Sequence, residues 1–382
     1  MKITTIEAFL APPEWTFVRV ETDEGITGWG EAGMSFRARA VREAIHDMRE
    51  ILIGQDPTKI EFHWQVMRKS SFFRGGPVLS SALAAIDIAL WDILGKSLGV
   101  PVHVLLGGPV RETARAYAWI GGDDLCAISS EELVDETLGL VDQGFTAFKL
   151  TPPKTSAIDV PSYGSKLMGH LSALRNSIGP DRDIALDVHG RWSKTMARRL
   201  LPILEPLDLI FVEEPILAEN LHMVGELTST TKLPIATGER LFSRWDFLDV
   251  VKSGVAVIQP DVALAGGISE TRRIAAQAEP YDVVVAPHCP FGPITLAASL
   301  QIDFATPNFL IQEQSITFFG DQFLRYLKDP SVFNFKDGSF VQTTAPGLGI
   351  EIDESMVLRM AAIGHNHKQP LWWHSDGSYA EF

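Results

Sequence analysis

Short apolar runs that end on a polar side chain recur along the second half of the sequence. The clearest lies at 184–189, where three apolar residues are followed by Asp187, Val188 and His189. Because side chains alternate along a strand, Asp187 and His189 should point to the same side. The pattern predicts a buried strand with a carboxylate beside an imidazole at its carboxyl end.

The same pattern returns at intervals of 22 to 27 residues. Later apolar runs end on Glu213, Glu239, Asp261, His288 and Glu313. A strand, a helix and their loops need about this length. Two runs come before these, at 114–120 and at 146–151, and the second carries Lys149 and Thr151. We therefore predict consecutive β/α units of a parallel barrel, whose active site forms at the carboxyl ends of the strands. The long loop at 152–161 lies at this end and is predicted to be functional.

The first 112 residues follow a different pattern. Alternation on either side of Asp23-Glu24-Gly25 predicts a β-hairpin. Residues 38–70 have helical periodicity with a break at Asp56-Pro57, and 80–99 form a strong helix. Its Asp87 and Asp92 are expected to be solvated or interface carboxylates. We predict an α+β domain over 1–112 and a barrel over 113–349, with a tail at about 350–382 that packs back on the first domain.

Composition narrows the possible partners and location. The 382 residues carry a net charge of −15, with a sequence pI near 5.1. This charge argues against nucleic-acid and anionic-membrane partners, which need basic patches. We find no apolar run of about 20 residues and no signal peptide. Cys126 and Cys289 suggest no disulfide framework, and the expected protein is cytoplasmic and reduced.

Three of the acids suggest a metal site. Asp187, Glu213 and Glu239 end three successive runs, so their oxygens should converge at the barrel mouth. Oxygen ligands suit a hard divalent cation, with Mg²⁺ as the first choice, whereas zinc prefers nitrogen and sulfur. The alternative is three local salt bridges or helix caps. That alternative is weaker, because like charges so close together repel without a cation.

The remaining polar strand ends suggest proton transfer. Asp261 and His288 end adjacent strands, so the carboxylate can orient the imidazole as a general base. Its alternative is a structural histidine in a proline-rich turn. His189 would suit a general acid, or would hold Asp187 in place. Glu313 and Lys149 complete the ring as stabilising groups, although Lys149 could simply pair with a metal ligand.

These motifs together resemble those of the enolase superfamily. They are Phe-Lys-Leu, Asp-Val-His-Gly-Arg, Val-Glu-Glu-Pro, Gly-Glu-Arg, Gln-Pro-Asp, Pro-His-Cys-Pro and Gln-Glu-Gln, in that order. The sequence is similar to the mandelate racemase subgroup, and within it to the acid-sugar dehydratases, over essentially its whole length. The resemblance implies an α/β fold, a (β/α)₇β TIM-like barrel with an N-terminal α+β capping domain.

The same resemblance implies a chemistry. It places one Mg²⁺ per subunit on Asp187, Glu213 and Glu239. It makes His288 the base with Asp261 behind it, His189 the acid, and Glu313 a stabiliser of the intermediate. The implied reaction is dehydration of an aldonate, with D-galactonate expected, to a 2-keto-3-deoxy acid. The expected substrate contacts are Lys149, Thr151, Arg37 and Trp15, and the expected assembly is a homo-oligomer.

Two departures leave the substrate open. Thr151 stands where racemases carry a second catalytic lysine and where dehydratases of this kind usually carry Asn, and its hydroxyl replaces neither. The loop at 32–36, which helps to close over the sugar in the superfamily, also differs. The alternatives are another aldonate or aldarate such as gluconate, a racemase or epimerase at C2, and a non-catalytic sugar-acid binding protein. An aldolase on another barrel would want a Schiff-base lysine, and Lys149 is the one plausible candidate.

Overall fold

An antiparallel sheet and four helices make up the first part of the chain. The computed structural model describes residues 1–153, 162–374 and 376–380, so most of the loop predicted to be functional, 154–161, lies outside the described residues. The sheet has the order β1 (Ile3–Ala11), β2 (Trp15–Thr22) and β3 (Thr27–Ala32). The helices that follow are α1 (Ala38–Leu52), α2 (Ile60–Lys69), α3 (Pro77–Leu98) and α4 (Val102–Leu105). The break between α1 and α2 contains the predicted Asp56-Pro57.

Helix α3 is the central helix of this part. It is apolar and long enough to cross a bilayer, with a mean hydropathy of 1.7 over an 18-residue window. The expectation that the chain has no such segment was therefore wrong. The physical explanation is that 78% of the window is buried within the protein. A side chain at Gly28 or Gly30 of β3 would collide with the carbonyl oxygens of Ala89 and Ala85, so these glycines let the sheet pack directly on the helix.

The two acids of α3 are buried, and the expectation of solvated carboxylates was wrong. Asp87 accepts hydrogen bonds from the backbone N–H of Ser269 at 2.9 Å and from its hydroxyl at 2.6 Å. Asp92 accepts from the backbone N–H of Trp29 and of Leu348, both at 3.0 Å. They act at interfaces, since Ser269 and Leu348 lie far along the chain.

Seven parallel strands form the barrel sheet. They follow a short strand, β4 (Thr113–Arg115). In order they are β5 (Ala118–Trp119), β6 (Ala147–Leu150), β7 (Asp183–Asp187), β8 (Phe211–Glu213), β9 (Ile235–Thr237), β10 (Val257–Ile258) and β11 (Val284–Val285). Each strand pairs with the next along the chain. The intervening helices are α5 (Ser130–Val141), α6 (Tyr163–Ile178), α7 (Lys194–Leu204), α8 (Val224–Thr228), α9 (Arg244–Val251), α10 (Gly267–Ala278) and α11 (Pro293–Ala305).

The predicted eighth strand is reduced to isolated bridges that link both edges of this sheet. The backbone N–H of Leu310 donates to the carbonyl of Val285 at 2.7 Å. On the other side, the N–H of Gln312 donates to the carbonyl of Arg115 at 2.8 Å, and the N–H of Tyr117 donates to the carbonyl of Gln312 at 3.1 Å. The single strand predicted at 114–120 was wrong in detail. Its first half, β4, pairs antiparallel with a later hairpin, and only β5 joins the barrel.

The last part of the chain lies on both the barrel and the first sheet. It contains α12 (Ile316–Phe319), α13 (Asp321–Leu324), β12 (Phe335–Lys336), β13 (Ser339–Val341), α14 (Glu354–Ile363), β14 (Trp372–Trp373) and β15 (Tyr379–Ala380). Glu354 of α14 pairs with Arg19 of β2, and His365 Nε2 lies 3.2 Å from the carbonyl oxygen of Trp15. The domain limits stay a prediction.

Candidate active site

The site follows from the alternation of side chains along the barrel strands. One layer of the barrel interior takes a residue from each strand region and from the closing segment: Tyr117, Ala147, Ala185, Phe211, Ala236, Val257, Ala286 and Ile311. The position two residues further on faces the same side. These next positions are Trp119, Lys149, Asp187, Glu213, Gly238, Gln259, His288 and Glu313. Local strand geometry therefore brings six polar side chains to one end of the barrel.

Lys149 lies at the centre of this polar layer and is fully buried. Its Nζ is 3.0 Å from Asp187 Oδ2, 3.0 Å from Glu213 Oε2 and 2.9 Å from Glu313 Oε1. Burial alone would lower the pKa of Lys149, but the three carboxylates raise it well above its usual value. An ammonium group has three hydrogens to donate, so a substrate could bind Lys149 only by displacing one of the carboxylates.

Two of the three predicted metal ligands lie together with His189. One ligand atom each from Asp187, His189 and Glu239 lie within 4.8 Å of one another. Glu213 is not in that group, although it is the cross-strand partner of Asp187 between β7 and β8. Asp187 Oδ2, Glu213 Oε1 and Glu239 Oε2 are buried and accept no hydrogen bond from the described residues. Three such oxygens fit a hard divalent cation.

The electrostatics of the acids point the same way. Burial and the neighbouring charge of Asp187 raise the pKa of Glu213 well above its usual value. Burial would also raise the pKa of Asp187, but His189 and Lys149 lower it strongly. Two carboxylates this close cannot both stay charged without further positive charge. The site therefore favours a cation in addition to Lys149.

His288 and Asp261 form a hydrogen-bonded pair. His288 Nδ1 lies 2.7 Å from Asp261 Oδ2, and the other oxygen of Asp261 accepts from the backbone N–H of Ala263 at 2.7 Å. An ionised carboxylate only accepts, so Nδ1 carries the hydrogen and Nε2 faces the acids, 3.4 Å from Glu239 Oε2. Burial would lower the pKa of His288, but Glu239, Glu313 and Asp261 raise it to about 10.

His189 occupies a turn rather than a strand. Its φ of 53° is left-handed, and its Nε2 lies 3.2 Å from Asp187 Oδ2. Its backbone N–H donates to the other oxygen of Asp187 at 3.2 Å. Burial would lower the pKa of His189, but Asp187 raises it to about 9. The imidazole can therefore hold a proton beside the acid cluster.

Glu313 and Glu214 have different surroundings. Glu313 accepts from the backbone N–H of Cys289 at 2.7 Å in addition to its contact with Lys149. Glu214, next to the predicted ligand Glu213, turns away and makes a bidentate pair with Arg240, with its shortest contact at 2.6 Å. Glu313 thus belongs to the site, whereas Glu214 supports the loops around it.

The predicted substrate contacts lie in different places. Thr151 is fully buried, and its hydroxyl makes no hydrogen bond within the described parts of the chain. Arg37 is exposed on the loop after β3, where it donates to the carbonyl of Phe36 at 3.1 Å. The expectation for Trp15 was wrong. Its side chain is 1% exposed and packs edge-on against Phe323 and Tyr326, so it has no surface left for a substrate.

Comparison with protein families decides the assignment. Residues 10–107 match the mandelate racemase / muconate lactonizing enzyme N-terminal domain, and residues 132–356 match the enolase C-terminal domain-like family. The second match alone covers more than half of the chain. The chain belongs to the enolase superfamily. The resemblance inferred from the motifs is confirmed, and so is the predicted α/β barrel with an N-terminal α+β capping domain.

Relatives of this enolase-superfamily chain include proteins of assigned function. It is 44% identical over 387 aligned residues to the D-galactonate dehydratase of Ralstonia pickettii (strain 12J), with 100% of both chains covered. The crystal structure of an enolase from Agrobacterium radiobacter, provisionally assigned as a galactarate dehydratase and bound to Na and L-malate, has a TM-score of 0.89 at 33% identity. It covers 99% of each chain. An enolase-superfamily member from Salmonella Typhimurium has a TM-score of 0.85 at 30% identity and covers 94% of this chain and 98% of that chain.

Two residues of this superfamily site were missed from the sequence. Gln259 and Trp119 belong to the polar layer, each two positions beyond an interior residue. Gln259 is fully buried, and its amide makes no hydrogen bond with the described residues. The ring of Trp119 stacks on His189. Counting two residues on from Val257 and Tyr117 would have found both, whereas the search for acids and histidines did not include them.

Proposed function

We propose that this protein is a Mg²⁺-dependent hydro-lyase that converts an aldonate, D-galactonate first, into a 2-keto-3-deoxy acid. The observation that carries the proposal is the placement of two imidazoles around one pair of acids. His288 Nε2 approaches Glu239 at 3.4 Å, and His189 Nε2 approaches Asp187 at 3.2 Å. The full-length identity of 44% to a D-galactonate dehydratase supports the choice of substrate.

Asp187, Glu213 and Glu239 would hold the cation, since each offers a buried oxygen without a hydrogen-bond donor among the described residues. When bound, a divalent cation supplies positive charge that stabilises the developing anion and offsets the carboxylates that raise the pKa of His288. Lys149 balances the same acids from below through its three contacts. Its role is therefore charge balance rather than the substrate contact predicted from sequence.

The proton transfers are divided between the two histidines. His288, oriented by Asp261, removes the proton from C2 through its Nε2. The electrons of the C2–H bond form the C2–C3 double bond as the C3–O bond breaks. His189 gives its Nε2 proton to the departing hydroxyl, which leaves as water. The resulting enol tautomerises to the 2-keto-3-deoxy acid, and Glu313 stays beside the anion as a stabiliser.

A substrate screen tests this proposal. The protein is incubated with a library of aldonic and aldaric acids, and 2-keto products are trapped with semicarbazide, with and without EDTA. We expect product from D-galactonate, loss of product with EDTA, and recovery when Mg²⁺ is added in excess. A product from gluconate alone would change the substrate but not the reaction. A C2 epimer without a trapped keto acid would favour the epimerase, and no change in any acid would leave a binding protein.

The exposed His222 offers a matched control for variants of the site histidines, because it lies on the surface. His222→Asn should retain the wild-type rate. Assembly into a homo-oligomer and a cytoplasmic location remain predictions.

A further inference from the structure

Trp119 covers one face of the His189 imidazole. The two ring centroids lie 5.7 Å apart and the planes differ by 22°, which is a stacked arrangement. Lys149 Nζ lies 5.0 Å from the centroid of the same indole ring. Trp119 thus contacts both the histidine of the proposed acid step and the lysine that balances the acids.

The indole is fixed by its own backbone turn. Its Nε1–H donates to the carbonyl of Gly122 at 3.2 Å. Gly121 and Gly122 have φ of 73° and 60°, a left-handed conformation that favours glycine and turns that carbonyl back toward the ring. The N–H of Gly121 is held by Glu136 Oε2 at 3.1 Å. The ring therefore belongs to an ordered end of β5.

His189 has few other restraints on its ring. Nε2 contacts Asp187 Oδ2, and no described residue makes a hydrogen bond to Nδ1. An imidazole held at one nitrogen can still rotate about its Cβ–Cγ bond. The flat face of Trp119 limits that rotation, because a rotated ring would lose the stacking contact, which adds to the burial of area in aromatic pairs.

We propose that Trp119 is a positioning residue that fixes the plane of the His189 imidazole for protonation of the leaving hydroxyl. The inference rests on the proposed function of His189. Trp119 acts through the histidine and not on the substrate, so its loss should slow departure of the C3 hydroxyl more than removal of the C2 proton by His288. A misplacement of about 1 Å can cost about 100-fold in rate.

The first test separates the two proton transfers. C2 exchange is followed by deuterium incorporation from D₂O, and dehydration by the keto product. In Trp119→Ala we expect dehydration to fall about 10- to 100-fold while exchange stays near the wild-type rate. Trp119→Phe, which keeps an aromatic face, should recover most of the loss. Trp119→Leu, which fills space without that face, should not. The exposed Trp373→Ala serves as the control, since its ring is 63% exposed and lies in the tail.

The second test needs no substrate. Carbethoxylation of His189 by diethyl pyrocarbonate is followed by peptide mass spectrometry, with His222 as the internal reference. The rate at His189 should rise in Trp119→Ala and Trp119→Leu and stay low in Trp119→Phe. An equal fall of exchange and dehydration, or an unchanged rate of modification at His189, overturns the inference. If the wild-type protein dehydrates no acid sugar, the proposed function fails, and the modification rates still decide whether Trp119 positions the ring.

Discussion

At the scale of single residues, the division of roles between the two histidines depends on their different supports. His288 is held by Asp261 at Nδ1, so its Nε2 is free to accept a proton. His189 is held at Nε2 by a carboxylate that keeps its pKa at about 9. One ring is therefore arranged to take a proton and the other to give one.

This difference predicts the behaviour of His189→Asn. The amide cannot supply a proton to the leaving hydroxyl, so dehydration should fall by about 10²- to 10⁴-fold. Exchange of the C2 proton with D₂O should persist, because His288 and Asp261 are untouched. If exchange and dehydration fall together, the acid and base are not divided between these residues. His222→Asn gives the control rate.

A second prediction at this scale concerns Lys149→Met. Removing the ammonium leaves three buried carboxylates without their shared partner, and breaking a buried ion pair costs about 3–5 kcal/mol. The free energy of unfolding in urea measures this loss. Lys328→Met breaks an exposed pair with Glu351 and should cost at most about 1 kcal/mol. Equal losses in the two variants would contradict a central role of Lys149.

At the scale of elements, the loop at 33–37 links the chain's C-terminal segment to the barrel mouth. Met34 packs beside Leu264 and Phe291, and the ring of Phe291 lies edge-on to His288. On its other side, Phe36 stacks on His367 with centroids 5.0 Å apart and planes 19° apart. The loop is thus held from both ends, by the barrel and by the segment after α14.

This arrangement predicts that His367→Ala loosens the loop. His367 Nε2 also pairs with Glu14 at 3.0 Å, and Glu14 accepts a hydrogen bond from Ser35 at 3.3 Å. Loss of a stacking contact worth about 0.5–1.5 kcal/mol should raise KM about 2- to 10-fold with little change in kcat. Tryptic cleavage after the exposed Arg37 should become faster. His222→Ala should change neither, and an unchanged cleavage rate in His367→Ala would show that the loop does not depend on this contact.

At the scale of the whole molecule, buried acids join the first part of the chain to the barrel. Asp87 of α3 binds Ser269 of α10, and Glu31 of β3 accepts from the backbone N–H of Gly292 at 2.7 Å and of Thr295 at 2.9 Å. Burial raises the pKa of Asp87 to about 7 and that of Glu31 also to about 7. The contact between the two parts is therefore sensitive to pH.

The sign of this effect follows from proton binding. Between the ordinary pKa of 3.8 and about 7, the folded state holds a proton on Asp87 that the unfolded state has lost. Stability from this group is complete below the lower value and is lost as pH rises through the upper one, by at most about 1.4 kcal/mol per pH unit. Asp87→Asn should flatten the fall in unfolding free energy between pH 4 and 7. The asparagine can accept from the backbone N–H of Ser269 and donate to its hydroxyl oxygen. An unchanged slope in urea titrations would contradict the assignment.

Cation binding should also stabilise the whole molecule. Mg²⁺ at about 100 times its Kd should add about 2.7 kcal/mol to the free energy of unfolding, because it binds the folded state. The midpoint of thermal unfolding should rise with Mg²⁺ and fall with EDTA. Glu239→Gln removes one proposed ligand and should abolish the response, whereas Glu351→Gln on the surface should keep it. A response that survives in Glu239→Gln would place the cation elsewhere.

The sequence by itself determined the barrel and the identity of its polar strand ends. Strand alternation is a local property, so the interval from Ala147 to Lys149, or from Ala286 to His288, predicts a shared face without any knowledge of the neighbours. The pairing of Asp261 with His288 followed in the same way, because consecutive strands lie side by side. Residues 114–120 were harder to assign, since β4 leaves the barrel to pair with a hairpin more than 200 residues later.

Only the tertiary structure decided how these groups contact one another. The choice of Lys149 to bind three carboxylates, the grouping of His189 with Asp187 and Glu239, and the stacking of Trp119 on His189 depend on side-chain packing across strands and turns. The burial of Trp15 depends on helices near residues 319–326, far along the chain. Local periodicity specifies which face a side chain occupies, whereas contacts between distant segments determine what it touches.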